Sequence, residues 1–111
     1  PTQDASGSVV QLVGQTPGAI SYVSFPYIHK PGIKPLNLDG VEPTDKNVTT
    51  NKWKIWSYEH MYTNNKNENF VENRFISYVK NDKVTLRKLG YIPVTEMKID
   101  RYYKGKVTPI K

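Results

Sequence analysis

The sequence predicts an α/β fold with an incomplete sheet. Three observations carry that expectation. Residues 6–14 and 69–80 place apolar side chains at helical spacing. Between them lie short β-rich segments at 19–23, 34–38 and 53–63, set apart by turns that contain proline, glycine or asparagine. The resulting order is helix, strand, strand, strand, helix, helix, and three short strands do not sort into a closed topology without more chain.

The elements follow in order. Ser6 or Ser8 can cap the first helix, Val9, Val10, Leu12 and Val13 give it an apolar face, and Gly14 is placed to end it. Thr16-Pro17-Gly18-Ala19 reads as a type II turn, with proline presetting φ and glycine tolerating a positive φ at the next position. Residues 19–23 then form a short apolar strand. Pro26, Pro31, Pro35 and Gly32 make 24–35 a loop, with one helical turn expected near Tyr27 and His29. Residues 34–38 give a second strand, Asp39-Gly40 a turn, and Thr44 caps a single helical turn at 45–49 behind Pro43. The longest strand expected is 53–63, WKIWSYEHMYT, which is aromatic but does not alternate cleanly. A polar turn at 64–69 precedes the clearest helix, 69–80, where Val71, Phe75, Tyr78 and Val79 form one stripe. Asp82 caps a further short helix that Gly90 stops, and Tyr91-Ile92-Pro93 leaves it extended. Residues 95–111 are polar, carry paired tyrosines and receive no assignment.

The chain of 111 residues is long enough for one small domain with a modest core. Its 37% hydrophobic residues indicate folding and not disorder. No apolar run reaches the roughly 18 residues of a membrane span. The start, PTQDASGS, lacks a basic segment followed by an apolar one, so no signal peptide is expected within this sequence. With no cysteine, disulfides, thiolate metal sites and a cysteine nucleophile are excluded. The net charge of +6 is spread from Lys30 to Lys111, densest in Lys98, Arg101, Lys104, Lys106 and Lys111, and is expected to be a solvated surface.

Several segments, in order, resemble the phosphate-binding receptors of bacterial phosphate ABC transporters. They are VVQLVGQTPGAISYV at 9–23 within the longer 6–28, KPLNLDGVEPTDKNVTTNKW at 34–53, HMYT at 60–63, FISYV at 75–79 and LGYIPV at 89–94. The resemblance runs over residues 4–95. It departs where the family often shows tyrosine-proline and then serine-arginine-proline; here those positions read Trp53-Lys54 and Trp56-Ser57-Tyr58, without the arginine.

The resemblance implies a type II periplasmic (solute) binding protein-like fold, present as a partial lobe. Residues 1–63 would be the later part of the second α/β lobe. Residues 64–111 would be a C-terminal helical segment returning toward the first lobe, with a polar tail. It further implies an extracytoplasmic receptor, periplasmic or lipid-anchored at the cell surface, that closes two lobes on inorganic phosphate and docks on an ABC permease; neither an enzyme nor a cofactor is implied. The family holds its anion with backbone N–H groups at helix N-termini, serine and threonine hydroxyls, one arginine and one aspartate. Those groups belong to upstream chain. No arginine precedes Arg74 and no R-x-x-S-G-T occurs, so no phosphate ligand is expected here. A lobe cut in this way would leave apolar surface uncovered, and self-association of the isolated chain is expected.

At most Ser6, Gly7 and Ser8, within Asp4-Ala5-Ser6-Gly7-Ser8, resemble an anion cradle at a helix N-terminus. The same residues suit an ordinary cap, and their register matches the family's pre-helix stretch and not its ligand loop, so a cap is expected. His29 and His60 lie far apart with no carboxylate cluster between them, against a metal or general-base role. No G-x-S-x-G, H-E-x-x-H or P-loop occurs. Trp53, Trp56, Tyr58 and Tyr62 interleave with Lys52 and Lys54, and RYYKGK at 101–106 repeats the mixture. Such a pattern could stack single-stranded nucleic acid in a small basic nucleic-acid-binding or adaptor domain, the alternative function. Core or lobe-interface packing is the expected use of these aromatics, with no nucleic-acid partner. Asn47-Val48-Thr49 fits a glycosylation sequon without carrying weight in a bacterial protein.

Overall fold

In the computed structural model, residues 3–64 and 70–110 are described. Their regular elements are α1 (Ser6–Gln15), α2 (Asp45–Thr49), α3 (Phe70–Asn81), α4 (Lys83–Lys88), and a C-terminal hairpin of β1 (Ile99–Arg101) and β2 (Val107–Pro109). Short 3-10 turns at Phe25–Tyr27, Val94–Glu96 and Tyr103–Gly105 complete the set. The result is a mixed helix/strand arrangement in which the only sheet among the described residues is that two-stranded hairpin.

The local signals at the helix ends are realised closely. Thr44 is the N-cap of α2, its hydroxyl accepting from the Asn47 N–H at 3.3 Å. Asp82 caps α4, its carboxylate accepting from the Thr85 N–H at 3.0 Å. Gly90 follows the C-cap Leu89 at φ +88°. There the Gly90 N–H donates to the Arg87 carbonyl at 2.9 Å and the Tyr91 N–H to the Leu86 carbonyl at 2.9 Å, the paired bonds of a Schellman termination. The turn at 16–19 closes through Ala19 N–H to the Thr16 carbonyl at 3.1 Å, with Gly18 at φ +76°. Asp39 and Gly40, both at positive φ, form the tip of a tight turn in which Leu38 and Val41 exchange both backbone bonds.

Several expectations fail. α1 begins after Ala5, which offers no side-chain cap, so neither Ser6 nor Ser8 caps it. Gly14 does not stop α1 but lies inside it, against the backbone of the loop that follows the Phe25–Tyr27 turn: a Cβ there would stand 3.3 Å from the Gly32 carbonyl oxygen. The helical turn expected near Tyr27 and His29 sits at Phe25–Tyr27. Residues 19–23, 34–38 and 53–63 are not strands; apart from the single Leu38–Val41 bridge they lack a ladder among the described residues. A strand is defined by its backbone pairing with a neighbour, and among the described residues none pairs with these segments beyond that bridge. The polar turn expected at 64–69 falls almost wholly on residues outside the described ones. The tail, by contrast, does form regular structure, with Ile99 opposite Pro109, Asp100 opposite Thr108 and Arg101 opposite Val107.

The core is small. Val48, Trp53 and Met97 are its buried apolar members, and Phe25, Val41, Trp56, Tyr58, Ile92 and Ile99 pack around them. Pro93 is fully buried as well. The hairpin is tied to α2 by the Lys98 N–H, which donates to the Thr49 carbonyl at 3.0 Å. The stripe on α3 lies open to solvent instead: Val71, Phe75 and Tyr78 are 69%, 62% and 69% exposed. The radius of gyration is 16.6 Å, against about 13 Å for a closed 100-residue domain, so the chain is spread more widely than its core requires.

Candidate functional site

The first turn of α1 holds Ser6, half-buried, with Gly7 and Ser8 exposed. Its leading N–H groups have no intrahelical acceptor by geometry. No side-chain cap hydrogen bond is made at Ala5, and the first turn carries no acidic residue. His29 and His60 are not brought together with carboxylates; among the described residues no group of three metal-ligating side chains occurs. An open groove of about 760 Å³ runs along α3, lined by Phe70, Asn73, Arg74, Ser77 and Tyr78 among others, and it includes none of the serines of α1.

A dense polar cluster lies instead where the hairpin meets the segment after Trp53. Trp53 is buried, and its indole N–H donates to the Ile55 carbonyl at 2.8 Å. The Trp56 indole N–H donates to Asn51 Oδ1 at 3.0 Å. Arg101, arriving on β1, lays its guanidinium 4.1 Å from the Trp56 ring centroid. One Nη donates to the Trp56 carbonyl and the other to the Lys54 carbonyl at 2.9 Å. The Tyr58 hydroxyl donates to Asp100 Oδ1 at 2.9 Å, and the same oxygen accepts the Arg101 N–H at 2.8 Å. Desolvation raises the Tyr58 pKa above its ordinary value. The hydrogen bond to Asp100 and that residue's negative charge push the same way, while Arg101 opposes them.

Beyond this cluster the aromatic side chains form a row. Trp56 and Tyr58 meet edge to face at 5.4 Å between centroids, as do Tyr58 and His60 at 6.4 Å, and His60 and Tyr62 lie tilted to each other at 6.1 Å. Alternate residues thus share a face, the two-residue period of an extended chain. Of the interleaved aromatics, Trp53 and Trp56 are committed to internal hydrogen bonds and packing, while Tyr62 stays exposed. Sequence reasoning found Trp56 and Tyr58, took Arg101 only as part of a basic tail, and missed Asp100. Their partners lie 42 to 47 residues away, and nothing local marks them.

No protein-family profile matches the chain. Among curated proteins, the phosphate-binding protein PstS of Bacillus subtilis (strain 168) is 39% identical over 108 residues, which is 95% of this chain and 36% of that protein. The proteins named phosphate-binding protein PstS 2 in Streptococcus agalactiae serotypes V and III are each 27% identical over 107 residues, again 95% of this chain and 35% of theirs. The chain therefore spans about a third of the length of the relatives it matches, and these relatives are named for binding and not for catalysis. In sequence the chain is similar to the C-terminal portion of these phosphate-binding proteins.

Proposed function

We propose that this chain is the C-terminal portion of an extracytoplasmic receptor that captures inorganic phosphate between two lobes of a type II binding-protein fold and delivers it to an ABC permease. The observation that carries this reading is the similarity to the Bacillus subtilis PstS over 95% of the chain. The exposed apolar surface supports it. Ile20 is 76% and Tyr22 92% exposed on a segment outside any sheet, and the stripe of α3 faces outward, as expected of elements shaped to pack on further chain. In this reading residues 1–63 are the later part of the second lobe and 64–111 the segment returning toward the first. Ser6, Gly7 and Ser8 begin a scaffold helix and do not touch the anion. The mature receptor sits in the periplasm or on a lipid anchor at the cell surface.

The test is a chimera in which this chain replaces the matching C-terminal portion of the Bacillus subtilis relative. Equilibrium dialysis with labelled phosphate should show binding by the chimera at the parent's stoichiometry and none by the 111-residue chain alone. A chimera that unfolds cooperatively yet takes up no phosphate overturns the reading. Tight binding by the chain alone would show that the anion ligands lie within it.

A further inference from the structure

In an extended chain the carbonyls of residues i and i+2 point to the same edge, and that edge is where a neighbouring strand would bond. At Lys54 and Trp56 this edge is already occupied, because the two Nη atoms of Arg101 donate to the carbonyls of those residues. The carbonyl between them, that of Ile55, accepts the Trp53 indole N–H. Three successive carbonyls are thus filled by side chains. Beyond Trp56 the aromatic row continues through His60 to Tyr62 with no strand ladder among the described residues.

We propose that Arg101 is a positioning residue that makes the C-terminal hairpin a strap across the segment after Trp53, filling the carbonyls through which residues 54–56 would otherwise pair, so that any open strand edge begins beyond Trp56. The guanidinium suits the task. Its planar fork spans two carbonyls at once, and its face rests on the Trp56 ring, which a lysine ammonium cannot reproduce. Asp100 sets the base of the fork: its carboxylate accepts the Arg101 N–H and is itself held by the Tyr58 hydroxyl, so both ends of the strap close on the same segment.

The Lys54–Ile55 bond is a built-in reporter, since trypsin must draw the Lys54 carbonyl into its own site to cut there. Lys54 is exposed, and the competing partner for its carbonyl is Arg101. Limited trypsin digestion of the 111-residue protein, read by mass spectrometry, should show cutting after Lys54 accelerated on the order of tenfold in R101Q, the loss expected for a hydrogen bond from a charged group. R101K should show a smaller rise, and cutting after Lys46 in α2 and Arg74 in α3 should be unchanged in both. An unaltered rate at Lys54 overturns the proposal. Equal acceleration at all three bonds also overturns it, because Arg101 would then only support the fold as a whole. If R101Q does not fold, R101K carries the same test.

Discussion

Replacing Gly90 by alanine tests how the end of α4 is joined to the rest of the chain. Two separate costs can be worked out. The first is conformational: Gly90 sits at φ +88°, a region that costs an L-residue roughly 1–2 kcal/mol. The second is steric. A Cβ at this position would stand 2.8 Å from the Pro26 Cα and 3.3 Å from the Pro26 nitrogen. Both are backbone atoms, so the loop carrying the Phe25–Tyr27 turn must move, an overpacking cost of about 1–3 kcal/mol. Alanine also narrows the unfolded ensemble, which returns about 0.4–1 kcal/mol. The net expectation is a loss of roughly 1–5 kcal/mol, centred on about 3. Gly18 is the control, since it has a similar φ of +76° but a Cβ added there would meet nothing within 4 Å. Gly18→Ala should therefore cost only about 1 kcal/mol, the strain less the entropy returned. Urea denaturation followed by tryptophan fluorescence reads the difference directly, because Trp53 lies in the core. If Gly90→Ala costs no more than Gly18→Ala, the close approach of Gly90 to Pro26 is not part of the folded state and the reasoning fails.

Two further outcomes are expected. The raised pKa of Tyr58 means that the folded state holds this proton more tightly than the unfolded one. Its contribution is complete below the ordinary tyrosine value of about 10 and is lost as pH rises through the folded value. An ultraviolet absorbance titration should show a late phenol step that disappears in Tyr58→Phe and moves down in Asp100→Asn; a step that survives Tyr58→Phe belongs to another residue and refutes the assignment. The segment at 19–23 and the open stripe of α3 should make the isolated chain self-associate. Sedimentation equilibrium should then give a mass that rises with concentration above 12.8 kDa, falling back when Ile20 and Tyr22 are both changed to lysine. A constant monomer mass across concentrations would show that these surfaces are not adhesive.

What could be read from the sequence follows the range of the forces involved. Thr44, Asp82 and Gly90 announce their helix ends because capping is decided within three or four residues, and the structure places each where its spacing predicts. The turn at 16–19 is legible for the same reason. The exceptions at α1 are instructive. Ser6 and Ser8 have the right chemistry, but Ala5 holds the cap position, and Gly14 answers to the approach of Gly32 and not to helix termination. The β-rich segments mislead more seriously. Their composition reports a preference for a pleated, half-buried surface, whereas a strand also needs a neighbour, and propensity is silent about where the neighbour comes from.

The same distinction explains the site. Trp56 and Tyr58 stand out in the sequence because aromatics cluster there, but what they do is set by Asp100 and Arg101, more than forty residues further on, in a tail without a periodic signal. An arginine in a polar tail looks like part of a diffuse positive charge until its guanidinium is seen to lie across two carbonyls and an indole ring. The stripe of α3 presents the converse case. Val71, Phe75 and Tyr78 predict a helix with a face to bury; the helix forms, yet the face stays open. Periodicity specifies that a surface is apolar without naming what covers it. Among the described residues this face lies largely exposed, while the similarity extends to proteins about three times as long. Both facts fit the receptor proposed above, in which the face of α3 and the segment at 19–23 pack on further chain. On that argument, the chimera that restores phosphate binding should also bury the α3 stripe, and Tyr78 should become shielded from solvent in it while remaining accessible in the chain alone.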